Sequence, residues 1–496
     1  MLLRLIQALF GKPRGPVGGD GIEHADPMEA AAAAMSGRRY PDARRLLEAV
    51  VAEAPDNADA WNLLGNACKL LGEFETAIGH YRRALTCVPG SVKVLSNLGL
   101  ALREAGRLAE ARTALEPVVR DRPDYLDARV ALALVAYDSG DDDCAEAGVR
   151  AVLAEDPEHA EAHLNLALLL LRQGRYAEAW DHYEWRSRID GAEPVARVPA
   201  PRWQGESLAD KSIALLAEQG LGDQIMFASC VPDLQAMSSR CIVECDARLV
   251  RLFERSFSGA TVRIAGTTAA DPGVGAPDAW TGLGSLPGRL RRRADAFPAH
   301  TGYLRAAPER IRYWRDRIRD NTDRPCIGIS WRGGTATTRG TSRSIPASLL
   351  VDAVGGRGMR WVSLQYGAVA ADLGQARERG IAIEHWPEAI NDYDETAALL
   401  CALDLVVSVC TAVVHLSGAL GRPTWVLVPA VAEWRYGRMG SGMPWYPNAR
   451  LFRQEVPGDW APVLASVRGA LTSGIVALRN SGAHPDGLAG ADEKRQ

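Results

Sequence analysis

Three loops in the second half of the chain gather side chains able to act on phosphates and hydroxyls. The first is EQGLGDQIMFA, where Gln219, Gly220, Gly222 and Asp223 stand between a short apolar run and a helix start. Glycines admit close backbone approach, and the free N–H groups of a helix N-terminus attract an anion. A carboxylate here can take a proton from a hydroxyl. Capping the helix is the plainer use of Asp223, and a lone Gly-Asp pair does not separate the two. The second loop, GISWRGGTATTRGTSRSIP, places Ser330, Arg332, Arg339, Thr341 and Arg343 after another apolar run. Guanidinium and hydroxyl groups suit a diphosphate, although a solvated basic loop also carries them. The third is VVSVCTAVVHLSGALGRPTWVLVP, in which Cys410, Thr411 and Ala412 lead into a helix with His415 one turn further on. Phosphate can sit on the N–H groups of such a start. A lone helical histidine is either a ligand or a packed core residue.

These loops need strands to hold them. After Pro194, short β-branched or apolar runs alternate with helix-like segments, the signature of parallel α/β units. Candidate strands are Ser212–Ala217, Cys241–Cys245, Thr261–Ala265, Cys326–Trp331, Trp361–Gln365, Leu405–Val409 and Thr424–Val428. An arginine-rich helix, Pro308–Asp320, followed by NTDRP, divides them into two groups. Two Rossmann-like halves facing a cleft are expected, with ligands at the carboxyl ends of the strands.

The first half of the chain reads differently. Proline recurs at Pro55, Pro89, Pro123 and Pro157, a step of 34 residues. Ala43, Ala77, Ala111, Ala145 and Ala179 keep the same register, and Gly72, Gly106, Gly140 and Gly174 mark turns. The fullest unit runs through Trp61, Leu64, Gly65, Ala77, Tyr81, Ala84 and Pro89. This is the tetratricopeptide pattern of helical hairpins. Small alanines let paired helices approach, proline stops the second helix, and each hairpin needs neighbours to bury its apolar face. Five repeats are expected, beginning near His24, Ala58, Val92, Leu126 and Ala160. Asn62, Asn66, Asn97 and Asn165 fall on or near the concave face, where an amide can donate to and accept from a peptide backbone. They are also ordinary polar positions.

Composition narrows the classes. The chain has 496 residues, 47% hydrophobic, with a formal net charge of −4. Length calls for two or three domains, and the charge gives no case for nucleic acid. Nine scattered cysteines without a CxxC point to reduced thiols, hence a cytoplasmic setting. No metal site stands out among the dispersed histidines. The most apolar longer stretch, Leu405–Gly421, carries Ser408, Thr411 and His415, so no membrane span is expected. The N-terminal MLLRLIQALFGKPRGPVGGDG has a short apolar stretch, broken by Arg4 and without a small-residue cleavage site, which argues against a signal peptide. It is expected to be a flexible tail, or else a short amphipathic helix peripheral to the inner membrane.

Taken together, PRWQGESLADKSIALLAEQGLGDQIMFA, GISWRGG, RSIP, WVSLQYG, DYDETAALLCALDLVVSVCTAVVHLSGALGRPTWVLVP and PWYPNARLFRQ resemble bacterial tetratricopeptide proteins with a glycosyltransferase domain. That domain is similar to the lipopolysaccharide heptosyltransferases, of GT-B fold. The overall plan resembles O-GlcNAc transferases and bacterial flagellin glycosyltransferases. The resemblance implies a flexible segment over 1–23, repeats over 24–193, an acceptor-side half over 194–322, a nucleotide-sugar half over 323–474 and a disordered tail over 475–496.

It further implies an inverting, metal-independent transfer from a nucleotide sugar, a cosubstrate rather than a cofactor, to a Ser or Thr hydroxyl. The acceptor would be a protein or peptide on the repeats, such as a surface-appendage protein of the flagellin kind. Asp223 matches the family's general base in the Gly-Asp loop, and Arg343 the basic residue near the donor phosphates. Thr411, Ala412 and His415 match its Asp-Thr-Ala/Gly-x-x-His turn, with Cys410 where the family has aspartate. Ser330, Arg332 and Gln365 belong to the donor side. Asp392-Tyr393-Asp394 has the form of a metal-binding motif of sugar-nucleotide transferases but precedes TAALLCAL, and is expected to cap that helix. Two other readings stand beside this one: a non-catalytic scaffold with a degenerate transferase domain, and a transferase for envelope glycans or lipid-linked acceptors.

Overall fold

The computed structural model describes residues 26–189, 198–266, 275–319, 324–334, 341–354 and 358–480. The expected flexible segment over 1–23, Arg339 and the chain beyond Asn480 lie outside them.

Five helical hairpins form the first half. Their first helices are Pro27–Ser36, Ala58–Leu70, Val92–Glu104, Leu126–Asp138 and Ala160–Arg172. Their second helices are Tyr40–Glu53, Phe74–Cys87, Leu108–Asp121, Asp142–Glu155 and Tyr176–Tyr183. The five alanines in register are all fully buried, at the positions where paired helices meet. A Cβ on Gly99 would lie 2.5 Å from Leu115 Cγ, so only glycine allows that approach. The turn glycines have φ between 79° and 83°, the left-handed conformation that ends a helix. Each recurring proline sits two residues past a helix end, where it blocks continuation.

The second half holds two parallel sheets. The first has β1 (Ser212–Leu216), β2 (Arg240–Cys245), β3 (Ala260–Ile264) and β4 (Ala279–Gly282), in the order β3-β2-β1-β4. The second has β5 (Cys326–Ser330), β6 (Arg360–Ser363), β7 (Ile383–Glu384), β8 (Leu405–Val409), β9 (Thr424–Val428) and β10 (Ala449–Arg453), in the order β10-β9-β8-β5-β6-β7. All seven candidate strands are present within a residue or two. The three that the sequence did not reveal, β4, β7 and β10, are all edge strands. An edge strand need not be apolar on both sides, so ARLFR and the two-residue IE lack the buried-strand pattern.

The expected boundaries shift in two places. The helix Pro308–Arg319 packs on Tyr393–Ala402 of the second half, with Trp314 buried and its indole N–H donating to Glu395 at 2.8 Å. By packing it belongs to the second half, not to the 194–322 unit. The last helix, Ala461–Asn480, continues past residue 474, so the expected tail begins too early.

The array is anchored to the α/β module through Trp180. This fully buried ring meets Tyr183, Trp434 and Trp445 edge-on, and its N–H donates to the Arg291 carbonyl at 3.0 Å. The two halves of the module are joined by arginines on the DYD segment: Arg251 pairs with Asp392 and Arg255 with Asp394. Asp392 also accepts the Asp394 N–H at 2.9 Å, capping the helix as expected.

Candidate functional site

The carboxyl ends of both sheets face one cavity of about 890 Å³. Its far wall is the inner face of the array, with Arg103, Tyr137 and Asn165 from the third, fourth and fifth hairpins. Its near wall holds Gln219, Gly220 and Asp223 after β1, Arg343 after β5, and Glu433 to Arg435 after β9. Tyr183 and Arg186, from the end of the array, line it where the parts meet.

The Gly-Asp loop is braced from several sides. The Gln219 amide donates to Tyr183 Oη at 2.7 Å, and Gln224 donates to the Gln219 carbonyl at 2.7 Å. Asp223 lies in the first turn of the helix Leu221–Phe227. It caps nothing there; it faces a guanidinium instead. Arg435 Nε donates to Asp223 Oδ1 at 2.8 Å, and Nη2 bonds the same oxygen. Arg435 Nη1 reaches Glu433 Oε2 at 3.2 Å, and Arg343 Nη1 reaches Glu433 Oε1 at 2.5 Å. Two arginines and two carboxylates thus alternate along the cavity wall. Burial opposes the charge on Arg435, but Asp223 and Glu433 more than offset it and raise its pKa. A second group stands at the joint, where Arg186 bonds Glu218 at 2.6 Å and the Glu218 carboxylate accepts the Gly284 N–H at 2.8 Å.

Several expected donor-side residues lie elsewhere. Gln365 staples the β5 loop: its Oε1 accepts from Ser330 Oγ and from the N–H groups of Trp331 and Arg332 at 2.8–3.2 Å. Ser330 is fully buried and Gln365 nearly so. Arg332 turns to Asp372, 3.0 Å away. None of the three lines the cavity; they set the loop's shape.

The turn after β8 is also covered. Thr411 caps the helix Ala412–Ala419 by accepting the Val413 N–H at 3.2 Å. Gly222 closes over it, since a Cβ there would be 3.1 Å from His415 and 3.6 Å from Ala412 Cα. His415 is buried against Tyr446 Oη at 3.2 Å, and burial, with Arg435 nearby, pushes its pKa down to about 3. Cys410 is buried too; its thiol is directed at the Leu427 carbonyl at 3.7 Å, and burial pushes it up to about 12. Cys410, Thr411 and His415 are thus buried, Ala412 is half-buried, and the expected anion site at this turn packs against the helix Leu221–Phe227 and does not line the cavity.

The asparagines are corrected likewise. Asn97 Nδ2 donates to Asn62 Oδ1 at 2.9 Å, and Tyr81 donates to Asn66 at 2.7 Å. All four are buried, and only Asn165 reaches the cavity. Of the sequence candidates, Asp223, Gln219, Gly220, Arg343 and Asn165 come together. Arg435, Glu433, Arg186 and Glu218 escaped sequence reading. Neither WRYGR nor EWRSR carries a motif.

Among the described residues no group of histidine, cysteine or acidic side chains is placed to hold a metal, and no helix is long and apolar enough to cross a membrane.

The fold and site define the class: a tetratricopeptide-repeat array closing over a parallel α/β module. Tetratricopeptide-repeat family profiles match residues 28–92, 145–184 and 70–137. The chain belongs to the family of protein FlbA of Caulobacter vibrioides, 31% identical over 438 residues that cover 84% of this chain and 73% of the relative. Tetratricopeptide repeat protein 8 of Caenorhabditis elegans is 27% identical over 146 residues, 29% of each chain. Solved structures with some likeness include MamA, 20% identical over 34% of this chain and 96% of its own, with a TM-score of 0.28. Another is the type IV pilus biogenesis factor PilW, 23% identical over 34% of this chain and 77% of its own, with a TM-score of 0.31. Scores this low carry no argument about function.

Proposed function

We propose that this protein is a glycosyltransferase of GT-B type that moves a sugar from a nucleotide-sugar donor to a Ser or Thr hydroxyl of a protein held by the repeats. The observation that carries the reading is the shared cavity: the inner faces of three hairpins open directly onto Asp223 and two arginines. A peptide on the array would reach the carboxylate without any domain swinging. The acceptor oxygen attacks the anomeric carbon, and a C–O bond forms there. The bond from that carbon to the donor phosphate breaks, its electron pair leaving on the diphosphate, and the hydroxyl proton passes to Asp223. Arg343 and Arg435 meet the charge that develops on the leaving group. Inversion follows from attack opposite the leaving diphosphate.

The test is mass spectrometry of a partner co-expressed with the full chain. A sugar mass on Ser or Thr is expected, and Asp223→Asn should lower transfer by about 10²–10⁴-fold. Equal transfer by both proteins would remove Asp223 from the mechanism. A second reading, a scaffold without catalysis, is favoured by one observation: the β8 turn that resembles a donor site is covered by Gly222. Turnover of any nucleotide sugar by the purified chain would exclude it.

A further inference from the structure

The alternating row Asp223, Arg435, Glu433 and Arg343 has a property that a simple anion pocket lacks. Both bonds from Arg435 to Asp223 fall on a single oxygen, Oδ1. The guanidinium is therefore held by one carboxylate oxygen alone, while the other oxygen takes no part in the pair. Arg435 also has a second anionic neighbour in Glu433, which in turn holds Arg343. Its ring neighbour fixes where it can go: the guanidinium carbon stands 4.7 Å from the Trp434 ring centre. Sliding across that face keeps the cation–π contact while the hydrogen-bond partner changes. With two positive and two negative groups, the row is formally neutral, and an entering diphosphate makes it strongly anionic. The repulsion falls on Glu433 and Asp223, and the two arginines are the groups able to answer it.

We infer that Arg435 is a shared ligand that holds Asp223 in one arrangement and a diphosphate in another, so that the donor and the base compete for one guanidinium. Glu433 is the counter-ion that parks both arginines beside the site between these arrangements. The inference rests on the reading that the cavity takes a nucleotide sugar, yet it concerns only the diphosphate part.

The experiment is calorimetric titration of the full chain with inorganic pyrophosphate. Asp223→Asn removes the competitor for Arg435 and should tighten binding roughly tenfold, the scale of one charge-assisted pair. Arg435→Gln should weaken it by a similar factor. The decisive case is the double variant: if Arg435 is the shared group, Asp223→Asn gives no gain once Arg435→Gln is present. A gain that persists there is a through-space charge effect and overturns the proposal. So does an unchanged affinity in Asp223→Asn, or no binding by either the wild-type chain or Glu433→Gln. Arg435→Lys, with its melting temperature alongside, separates lost binding from lost folding. Sugar transfer is scored independently. Transfer without the pyrophosphate pattern sinks this inference alone, and the pattern without transfer sinks the proposed function alone.

Discussion

The array and the α/β module bury polar groups in opposite ways. In the array, several buried polar groups are tied to another hairpin or helix: Asn62 to Asn97, Asn66 to Tyr81, Arg103 to Asp138 at 2.6 Å, and Arg172 to Asp142. These pairs lie deep, with the Arg103 and Asp138 side chains each 6% exposed. They set how hairpins stack. In the module the comparable row, Asp223 to Arg343, lines a cavity, with side chains of Asp223 and Arg435 19% and 18% exposed. The first kind of pairing is fixed by the stacking of the hairpins, even where, as at Arg103, it borders the cavity. The second can be exchanged for a ligand. A buried ion pair thus says little about function until its access is known.

The contrast depends on the seam that presses the two parts together. Trp180→Ala removes the ring that meets both Tyr183 of the array and Trp434 of the module. A loss of about 3–5 kcal/mol is expected. Calorimetry should show one melting event for the intact chain and two for the variant. A single transition that merely moves down would mean that array and module are coupled elsewhere.

Lys69 sharpens the contrast from the array side. It occupies the same repeat position as Arg103, one 34-residue step earlier. It is 3% exposed, and burial lowers its pKa to about 8, with Glu104 only partly opposing. A lysine lowered from its ordinary value binds fewer protons folded than unfolded between about pH 8 and pH 10.5. Its cost is therefore full below pH 8 and shrinks as pH rises. Lys69→Met should stabilise the chain by about 2–3 kcal/mol at pH 7. That advantage should fade toward pH 10.5. A variant no more stable than the parent at pH 7 would show that the ammonium has a partner on the concave face.

Gly99→Ala tests the packing that the repeat dictates. The added methyl meets Leu115 at 2.5 Å, and a cost of about 1–3 kcal/mol is expected from overpacking. Urea unfolding followed by circular dichroism would report it. No change would mean that the hairpin can open without loss.

How far the sequence could be read follows the same divide. The array was legible because Ala43, Ala77, Ala111, Ala145 and Ala179 repeat one packing demand five times. Central strands were legible as continuous apolar runs, while β4, β7 and β10 at the sheet edges were not. At the site, Gly220 and Asp223 announced themselves by local chemistry. Arg435 lies 212 residues from Asp223, and no local spacing encodes such a partner. Asn62, Asn66 and Asn97 misled for the converse reason: position in the repeat was read correctly, but helix packing fills the space around them, and only Asn165 reaches the cavity.

Cys410 gives the smallest and most pointed effect. The resembled family has an aspartate at this place, which makes the cysteine look like a lost catalytic group. Its surroundings here argue otherwise. The thiol is 1% exposed, is kept neutral by burial, and is directed at the Leu427 carbonyl from beneath a turn that Gly222 covers. A residue that cannot meet a ligand should be replaceable by one of its own size and polarity. Cys410→Ser is expected to change pyrophosphate affinity by less than about twofold, within what a satisfied buried hydroxyl costs. Cys410→Asp, in contrast, places a carboxylate against a carbonyl oxygen and should lower the melting temperature without raising sugar transfer. If Cys410→Asp instead melted like the parent and bound pyrophosphate differently, the turn after β8 would have to open onto the cavity, and the division between packed and exchangeable polar groups would need to be redrawn there.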